Sequence, residues 1–167
     1  MEIVTIFDAK LFSFKYSDEN EYDRLMSCWT DVFYLREYAK LNGVKDKNKF
    51  VKNRLRDAEQ IQDLLYELSN SRQPLEYYFT PLNNNETGFK LLSLQKGKYA
   101  NYDGLRIYAI KIDDDCFVIT GGAIKMSFKM DDHPDTKEEK NKLNSAKDYL
   151  SKQDVIDKDS FFEFLNE

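Results

Sequence analysis

Four residues in the second half of the chain have side chains suited to chemistry on a phosphate. Arg106 stands in an apolar run, and a guanidinium can grip a phosphate through two parallel hydrogen bonds. Lys125 follows a Gly-Gly pair, and glycines there let the backbone approach a site closely or bend a strand at its rim. His133, the single histidine of the chain, is a candidate general acid or base near neutral pH. Lys90 is a further cation, in the predicted strand that precedes this apolar run.

Each of these residues also has an ordinary structural alternative. Arg106 fits an ion pair with an acidic residue of a neighbouring element equally well. A lysine at a strand end, such as Lys125, is usually solvated. His133 lies in an acidic, proline-containing segment, where an exposed loop histidine is the common case. These alternatives stay open at the level of the sequence.

The element that must position Arg106 and Lys125 is a β-hairpin. Its two strands are Leu105–Ile112 and Cys116–Thr120, because both runs are apolar and rich in β-branched residues. The acidic tripeptide Asp113–Asp115 between them is the turn. Gly121 and Gly122 are expected to break or bulge the second strand.

Side-chain alternation in the first of these strands decides what Arg106 can do. The period of two places Arg106 on one face with Tyr108 and Ile110, opposite Leu105 and Ile107. If helices cover that face, the guanidinium is half-buried and needs an acidic partner within the chain. If the face is open, the guanidinium can reach a ligand.

The whole chain predicts one α+β domain over residues 1–167. N-terminal strands come first, then two long helices, then a three-stranded antiparallel meander, then C-terminal helices, an order typical of α+β proteins. The predicted strands and helices are Ile3–Phe7, Leu11–Tyr16, Glu21–Leu41 (one helix or two in succession), Phe50–Leu68, Gly88–Leu94 and the hairpin above. Two helices follow the charged loop at residues 130–139, and the last of them contains Ser160–Leu165.

Three signals predict where the helices begin and end. Ser17 or Asp18 is the expected N-cap of the first helix, and Ser160 that of the last. Gly43 is expected to end the Glu21–Leu41 segment in the left-handed conformation.

Composition excludes several classes of function. The net charge of −5 argues against affinity for nucleic acid over the whole surface, although it leaves a local basic patch open. No nucleotide-binding glycine motif is present. One histidine and two separated cysteines cannot form the usual zinc site, and Asp113–Asp115 lacks the spacing of a calcium loop. We therefore expect no metal and no small-molecule cofactor.

The expected localisation is cytoplasmic. The N-terminus has an acidic second residue and no long apolar core, unlike a signal peptide. No apolar run approaches the ~20 residues of a membrane span, so no membrane partner is expected.

The segment from Gly88 to Leu150 resembles the C-terminal half of RelE/ParE-superfamily toxins, most closely the HigB-like, phage-type branch. The similarity is carried by FKLLSLQ, by GLRIYAIKIDDDCFVITGGAIK, and by the lysine-rich loop and helix EEKNKLNSAKDYL that follow. Leu92 stands where the family has a second strand lysine. The LRIYAIK and ITGGAIK pattern also resembles small proteins of gut Bacteroidetes, a similarity that implies no function.

The resemblance implies a toxin of a type II toxin-antitoxin system. Such a protein is a metal-independent, ribosome-dependent mRNA endonuclease, neutralised by a helix-turn-helix antitoxin. The mRNA 2′-hydroxyl attacks the adjacent phosphate while cations stabilise the developing charge. By position, Arg106 matches the phosphate-gripping arginine, while Lys90 and Lys125 match flanking cations. His133 falls where the family places its acid or base.

Two other functions are alternatives to the toxin. A non-catalytic binding or regulatory module on the same fold would have an apolar or acidic sheet face, with an exposed aromatic patch at Tyr77, Tyr78 and Phe79. A structural protein of a phage or mobile element is the third. The toxin predicts that Arg106, Lys125, Lys90 and His133 converge on one concave face.

Overall fold

The computed structural model describes residues 1–7, 10–70, 75, 78–81, 90–96, 104–126 and 133–167, with the backbone alone at 69, 80–81 and 90–96. Within these ranges the chain forms six strands and five helices. In chain order they are β1 (Glu2–Phe7), β2 (Leu11–Lys15), α1 (Glu21–Trp29), α2 (Val32–Leu41), α3 (Lys47–Asn70), β3 (Thr80–Pro81), β4 (Lys90–Lys96), β5 (Gly104–Asp113), β6 (Cys116–Lys125), α4 (Pro134–Lys152) and α5 (Lys158–Leu165).

The described strands form a single mixed sheet in the order β1-β2-β6-β5-β4-β3. β4, β5 and β6 lie side by side and antiparallel. The N-terminal hairpin joins them through β2, which pairs parallel with β6, and β3 pairs with β4. The predicted α+β class is confirmed. The strand order differs from the predicted three-stranded meander, because the hairpin extends the sheet on one side and β3 on the other.

The segment from Glu21 to Leu41 forms two helices in succession, the second of the two predicted alternatives, because the Asp31 carboxylate accepts the backbone N–H groups of Phe33 and Tyr34 and starts a new helix there. Three helices therefore precede the meander, where two long helices were expected. The predicted N-cap at Ser17 or Asp18 is wrong, since Asn20 caps α1. Gly43 ends α2 with φ +67°, as predicted.

Helices cover both faces of the sheet. Leu25, Trp29 and Leu35 of α1 and α2 pack with α3 on one face, while Leu143 and Leu150 of α4 pack with α5 on the other. Nearly every residue of β5 and β6 is buried as a result, a pattern typical of strands enclosed on both sides. Arg106 shares the α4 face with Tyr108 and Ile110, as the alternation predicted.

The Gly-Gly pair lets two helices approach β6 from opposite sides. β6 continues to Lys125, and a bulge at Thr120 shifts its register against β5 between Ile119 and Gly121. A Cβ on Gly122 would lie 2.5 Å from the Arg106 carbonyl oxygen and 2.8 Å from Leu25 of α1. The strand therefore bulges at Thr120, next to the glycines, and continues past them.

The acidic turn fastens the hairpin to its neighbours. Asp115 has a positive φ of 54°, and its carboxylate accepts the N–H of Leu75 at 3.2 Å. The Asp113 carboxylate accepts the N–H of Lys158, at the start of α5, also at 3.2 Å. These carboxylates therefore hold backbone groups of two other segments.

The N-cap of α5 is Asp157, not the predicted Ser160. Ser160 lies at N3 and completes a capping box with Asp157.

The described residues contain no group of three or more histidine, cysteine or acidic side chains placed to hold a metal ion. None of the described helices is both long enough and apolar enough to cross a membrane.

Phe79 is buried and meets Phe117 edge-on with ring centroids 5.3 Å apart. The exposed aromatic patch predicted at residues 77–79 is therefore wrong at Phe79, and Tyr77 lies outside the described residues.

Candidate functional site

A groove of about 1080 Å³ lies between α1, α2 and the first half of α4. Its floor is the end of β6 at residues 122–124, where Gly122 keeps the sheet surface low. Side chains from five segments line it, and most of them are charged or aromatic. They include Tyr16, Glu21, Arg24, Tyr34, Glu37, Tyr38, Asn42, His133, Asp135, Glu138, Glu139 and Lys142.

One end of the groove holds an ion cluster centred on Glu21. The Arg24 guanidinium donates to this carboxylate through Nε at 2.6 Å and through Nη2 at 3.0 Å, the bidentate geometry that arginine favours. The Lys142 ammonium binds the same carboxylate from α4. Burial opposes ionisation of Glu21, but hydrogen bonds from Arg24 and Lys142 outweigh it and lower its pKa. Both cations are therefore already engaged by one carboxylate.

Glu139 is the second carboxylate at this end and is only 7% exposed. Its Oε1 and Oε2 atoms each lie 3.2 Å from the Lys142 ammonium, but Oε2 accepts no hydrogen bond from the described residues. Burial raises the pKa of Glu139 to about 7, with Lys142 opposing the shift. A Cβ on Gly121 would lie 2.2 Å from Oε2, so a side chain at this position would displace the carboxylate.

Two tyrosines enclose the cluster. Tyr16 donates its hydroxyl to the Thr120 carbonyl at 3.0 Å, and the Lys142 ammonium lies 5.0 Å from the centre of its ring. Tyr108, beneath α4, has a buried hydroxyl with no hydrogen-bond partner among the described residues. Burial raises the pKa of both phenols, so both phenols are neutral.

The other end of the groove is held by two hydrogen bonds between α2 and α4. Tyr38 donates its hydroxyl to the Asp135 carboxylate at 2.7 Å. His133 Nδ1 accepts the N–H of Asp135 at 3.2 Å, so the ring carries its proton on Nε2 and donates it to the Asn42 side-chain oxygen at 2.8 Å. These bonds fix the start of α4 against the end of α2.

A ladder of aromatic rings opens into the same end. Tyr34 stacks on Tyr38 at 6.4 Å and Tyr38 stacks on Phe50 at 6.3 Å between centroids. The Arg54 guanidinium covers the inner end, 5.2 Å from the centre of the Phe50 ring, and Asp57 pairs with it at 2.9 Å. Tyr34 is the outer ring, 37% exposed in the groove.

The structure places two of the predicted site residues on the α4 face of the sheet. Arg106 is 3% exposed, and its Nη1 donates to the Leu105 carbonyl at 3.0 Å. Lys125 is the last residue of β6, opposite Gly104 and half-buried. The two share one face near the same end of the sheet, but Arg106 lies within the protein interior.

The other two predicted residues lie apart from Arg106. Lys90 pairs with Lys111 at one end of β4, whereas Arg106 pairs with Gln95. Five residue positions at ~3.3 Å each put their backbones ~17 Å apart along the strand. His133 is the N-cap of α4, bound to Asn42 of α2. The structure therefore does not bring the four residues together on one open face.

Of the residues that line the groove, only His133 was among the predicted site residues. Glu139 occupies a position on the apolar stripe of α4, between Thr136 and Leu143, and a carboxylate on such a stripe is the one signal that marks it. Glu21 and Tyr38 carry no comparable signal. Their partners Lys142 and Asp135 are 121 and 97 residues away in the chain.

No family model, no curated protein and no solved structure matches this chain. The similarity to RelE/ParE-superfamily toxins therefore stays a prediction. The functional argument therefore rests on the geometry of the groove and on the charged and aromatic side chains that line it.

Proposed function

We propose that this chain is a non-catalytic binding module whose groove receives a cationic side chain of a partner protein. The observation that carries the proposal is the aromatic ladder that ends at Tyr34. Its inner end is already covered by a guanidinium, Arg54, with a carboxylate beside it. The outer end offers an exposed tyrosine ring in a groove rich in carboxylates, so an arginine of a partner can occupy it in the same way.

The charges of the groove support a cation as the ligand. Arg24 and Lys142 are engaged by Glu21. Glu37, Asp135 and Glu138 also line the groove, and the described residues give no cation bound to Glu37 or Glu138. An arginine fits better than a lysine, because its planar guanidinium stacks on a tyrosine ring while donating to carboxylates at its edge.

The geometry favours this function over the endonuclease. An RNA phosphate must reach Arg106, which lies beneath α4 and is 3% exposed. The toxin activity, its ribosome and mRNA substrates, and the helix-turn-helix antitoxin partner all stay predictions. An arginine-bearing segment of an antitoxin is one partner compatible with the groove.

A blocked hexa-arginine peptide is the probe that tests the proposal. In isothermal titration at low salt, we expect it to bind more tightly than hexa-lysine. Tyr34→Ala should weaken hexa-arginine binding by about 0.5–1 kcal/mol, a factor of ~2–5, because it removes the cation–π contact. Glu37→Gln/Glu138→Gln should weaken both peptides, because it removes two carboxylates of the groove.

The matched control is Asp63→Asn/Glu67→Gln, which removes two exposed carboxylates from α3. Because these side chains lie outside the groove, the control should bind like the wild type. Equal losses in the control and in the groove variant would mean that the peptide binds by net charge alone. If the wild type binds hexa-arginine and hexa-lysine with equal affinity, Tyr34 does not select arginine by stacking, and the proposal is contradicted.

A further inference from the structure

A second charged surface lies on the far side of α2 and on the first turns of α3. Five exposed cations line two adjoining shallow grooves of about 470 and 690 Å³, which share Arg36 and Asn48. We call this surface the basic patch; its cations are Arg36, Lys45, Lys47, Lys52 and Arg56. Two carboxylates, Asp46 and Glu59, are the acidic groups that line the same grooves.

The cations of the basic patch are not neutralised by the protein. Within the part of the chain that the structure describes, none of the five is engaged in an ion pair. Asp46 uses its carboxylate to accept the N–H of Lys49 at 3.1 Å, at the start of α3. The patch therefore presents concentrated positive charge on a chain whose net charge is −5, which points to a partner that supplies negative charge.

We propose that the basic patch binds the phosphate backbone of double-stranded nucleic acid without reading its sequence. This proposal rests on a different surface from the proposed function and does not depend on it. Within α3 the patch extends from Lys47 to Arg56, a span of ~14 Å at ~1.5 Å per helical residue. A spread of cations this long suits an extended polyanion better than one phosphate group.

The composition of the patch argues for a duplex backbone over other polyanions. Single-stranded nucleic acid is bound through aromatic rings on which the bases stack, and neither groove is lined by an aromatic residue. A protein partner needs buried aromatic or aliphatic anchors, but the apolar residues here are Val51, which is buried, and Leu55, which is half-buried. Duplex DNA presents one negative charge per ~1.7 Å of axis and requires neither.

A salt titration with a labelled DNA duplex tests the proposal. We expect fluorescence anisotropy to show binding at about 50 mM salt, with log K falling linearly against log salt by ~0.9 per neutralised phosphate. Lys52→Gln/Arg56→Gln should weaken binding at least tenfold and reduce the slope by about 1.8, the value for two phosphate contacts. Both side chains are exposed, so the variant should keep the circular dichroism and melting temperature of the wild type.

The matched control is Lys137→Gln/Lys152→Gln, which removes two exposed cations from α4 and should leave affinity and slope unchanged. Equal losses in both double variants would overturn the proposal, because the binding would then follow net charge. Absence of duplex binding at about 50 mM salt would also overturn it. Binding of a poly-glutamate chain in place of the duplex would assign the patch to an acidic protein.

Discussion

Glu139 is ionisable, buried and close to a second carboxylate, and these properties decide how the groove responds to pH. Glu21 and Glu139 share the Lys142 ammonium, but their pKa values move in opposite directions. Glu21 accepts hydrogen bonds from two cations, Arg24 and Lys142, while Glu139 accepts one from Lys142 alone and also faces the charge of Glu21. The two carboxylates therefore differ in their protonation near neutral pH.

The first prediction concerns the pH dependence of stability. Burial raises the pKa of Glu139 from 4.5 to about 7, so the folded chain holds a proton that the unfolded chain has released. The free energy of unfolding therefore falls as the pH rises through this window. From about pH 5 to about pH 8, the free energy of unfolding of Glu139→Gln should rise relative to that of the wild type by on the order of 1–3 kcal/mol. Urea unfolding of both proteins at the two pH values measures this change.

Glu138→Gln is the control for this measurement, since its side chain is exposed on the same turn of α4. Its stability should follow the wild type at both pH values. Parallel pH profiles for the wild type and Glu139→Gln would show that Glu139 does not titrate between these limits.

At the residue scale, local patterns predicted position better than role. The alternation in β5 placed Arg106 on the face of Tyr108 and Ile110, and Gly121 and Gly122 were expected to break or bulge β6. Both follow from a few consecutive residues. The burial of Arg106 does not, because it depends on α4 closing over that face from a segment that begins 28 residues later in the chain.

At the element scale, the start of α4 is where two distant parts of the chain lock together. The His133 ring caps α4 and donates to Asn42, the C-cap of α2. This arrangement uses both ring nitrogens. It accounts for the position of His133 by packing and hydrogen bonding.

The second prediction separates this structural role from the predicted role in proton transfer. His133→Ala removes the cap and the bond to Asn42, so we expect a loss on the order of 1–2 kcal/mol in the free energy of unfolding. His133→Asn keeps a capping oxygen and should recover part of that loss. Chemical unfolding of the two variants measures both effects.

If His133→Ala is as stable as the wild type, the ring is not needed to hold α4. The predicted acid or base would then be the better account of this histidine. A loss that His133→Asn does not recover at all would assign the effect to the Asn42 bond alone.

Helix boundaries show why element prediction from the sequence was incomplete. The apolar stripe from Glu21 to Leu41 has helical spacing throughout, so periodicity alone cannot locate the break. The break comes from Asp31, whose carboxylate caps α2. A capping residue inside a continuous stripe competes with helix propagation, and the tertiary packing of α1 and α2 decides the outcome.

At the scale of the whole molecule, charge is segregated between two surfaces. The groove between α1, α2 and α4 carries more carboxylates than cations, and the basic patch at Arg36 and the start of α3 carries the reverse. The net charge of −5 does not indicate this distribution, because it sums the charges of both surfaces. The sequence analysis left a local basic patch open, and the fold brings Arg36 of α2 beside the cations of α3.

The groove itself was not predictable from the sequence. Its walls come from residues 16–29, 34–42 and 133–142, and no local pattern relates these three segments. The α+β class was predictable, because strand and helix periods are local and their order along the chain sets the class. The strand order was not, because the parallel pairing of β2 with β6 joins residues 11–13 to 117–119.

Chemical-shift mapping tests whether the groove receives an arginine. Amide resonances of the ¹⁵N-labelled chain should be followed while blocked hexa-arginine is added. We expect shifts confined to α1, α2, residues 122–124 and residues 133–142, with the largest near Tyr34 and Tyr38. Shifts centred on α5 or on the exposed carboxylates of α3, or small shifts spread over every acidic surface, would contradict it.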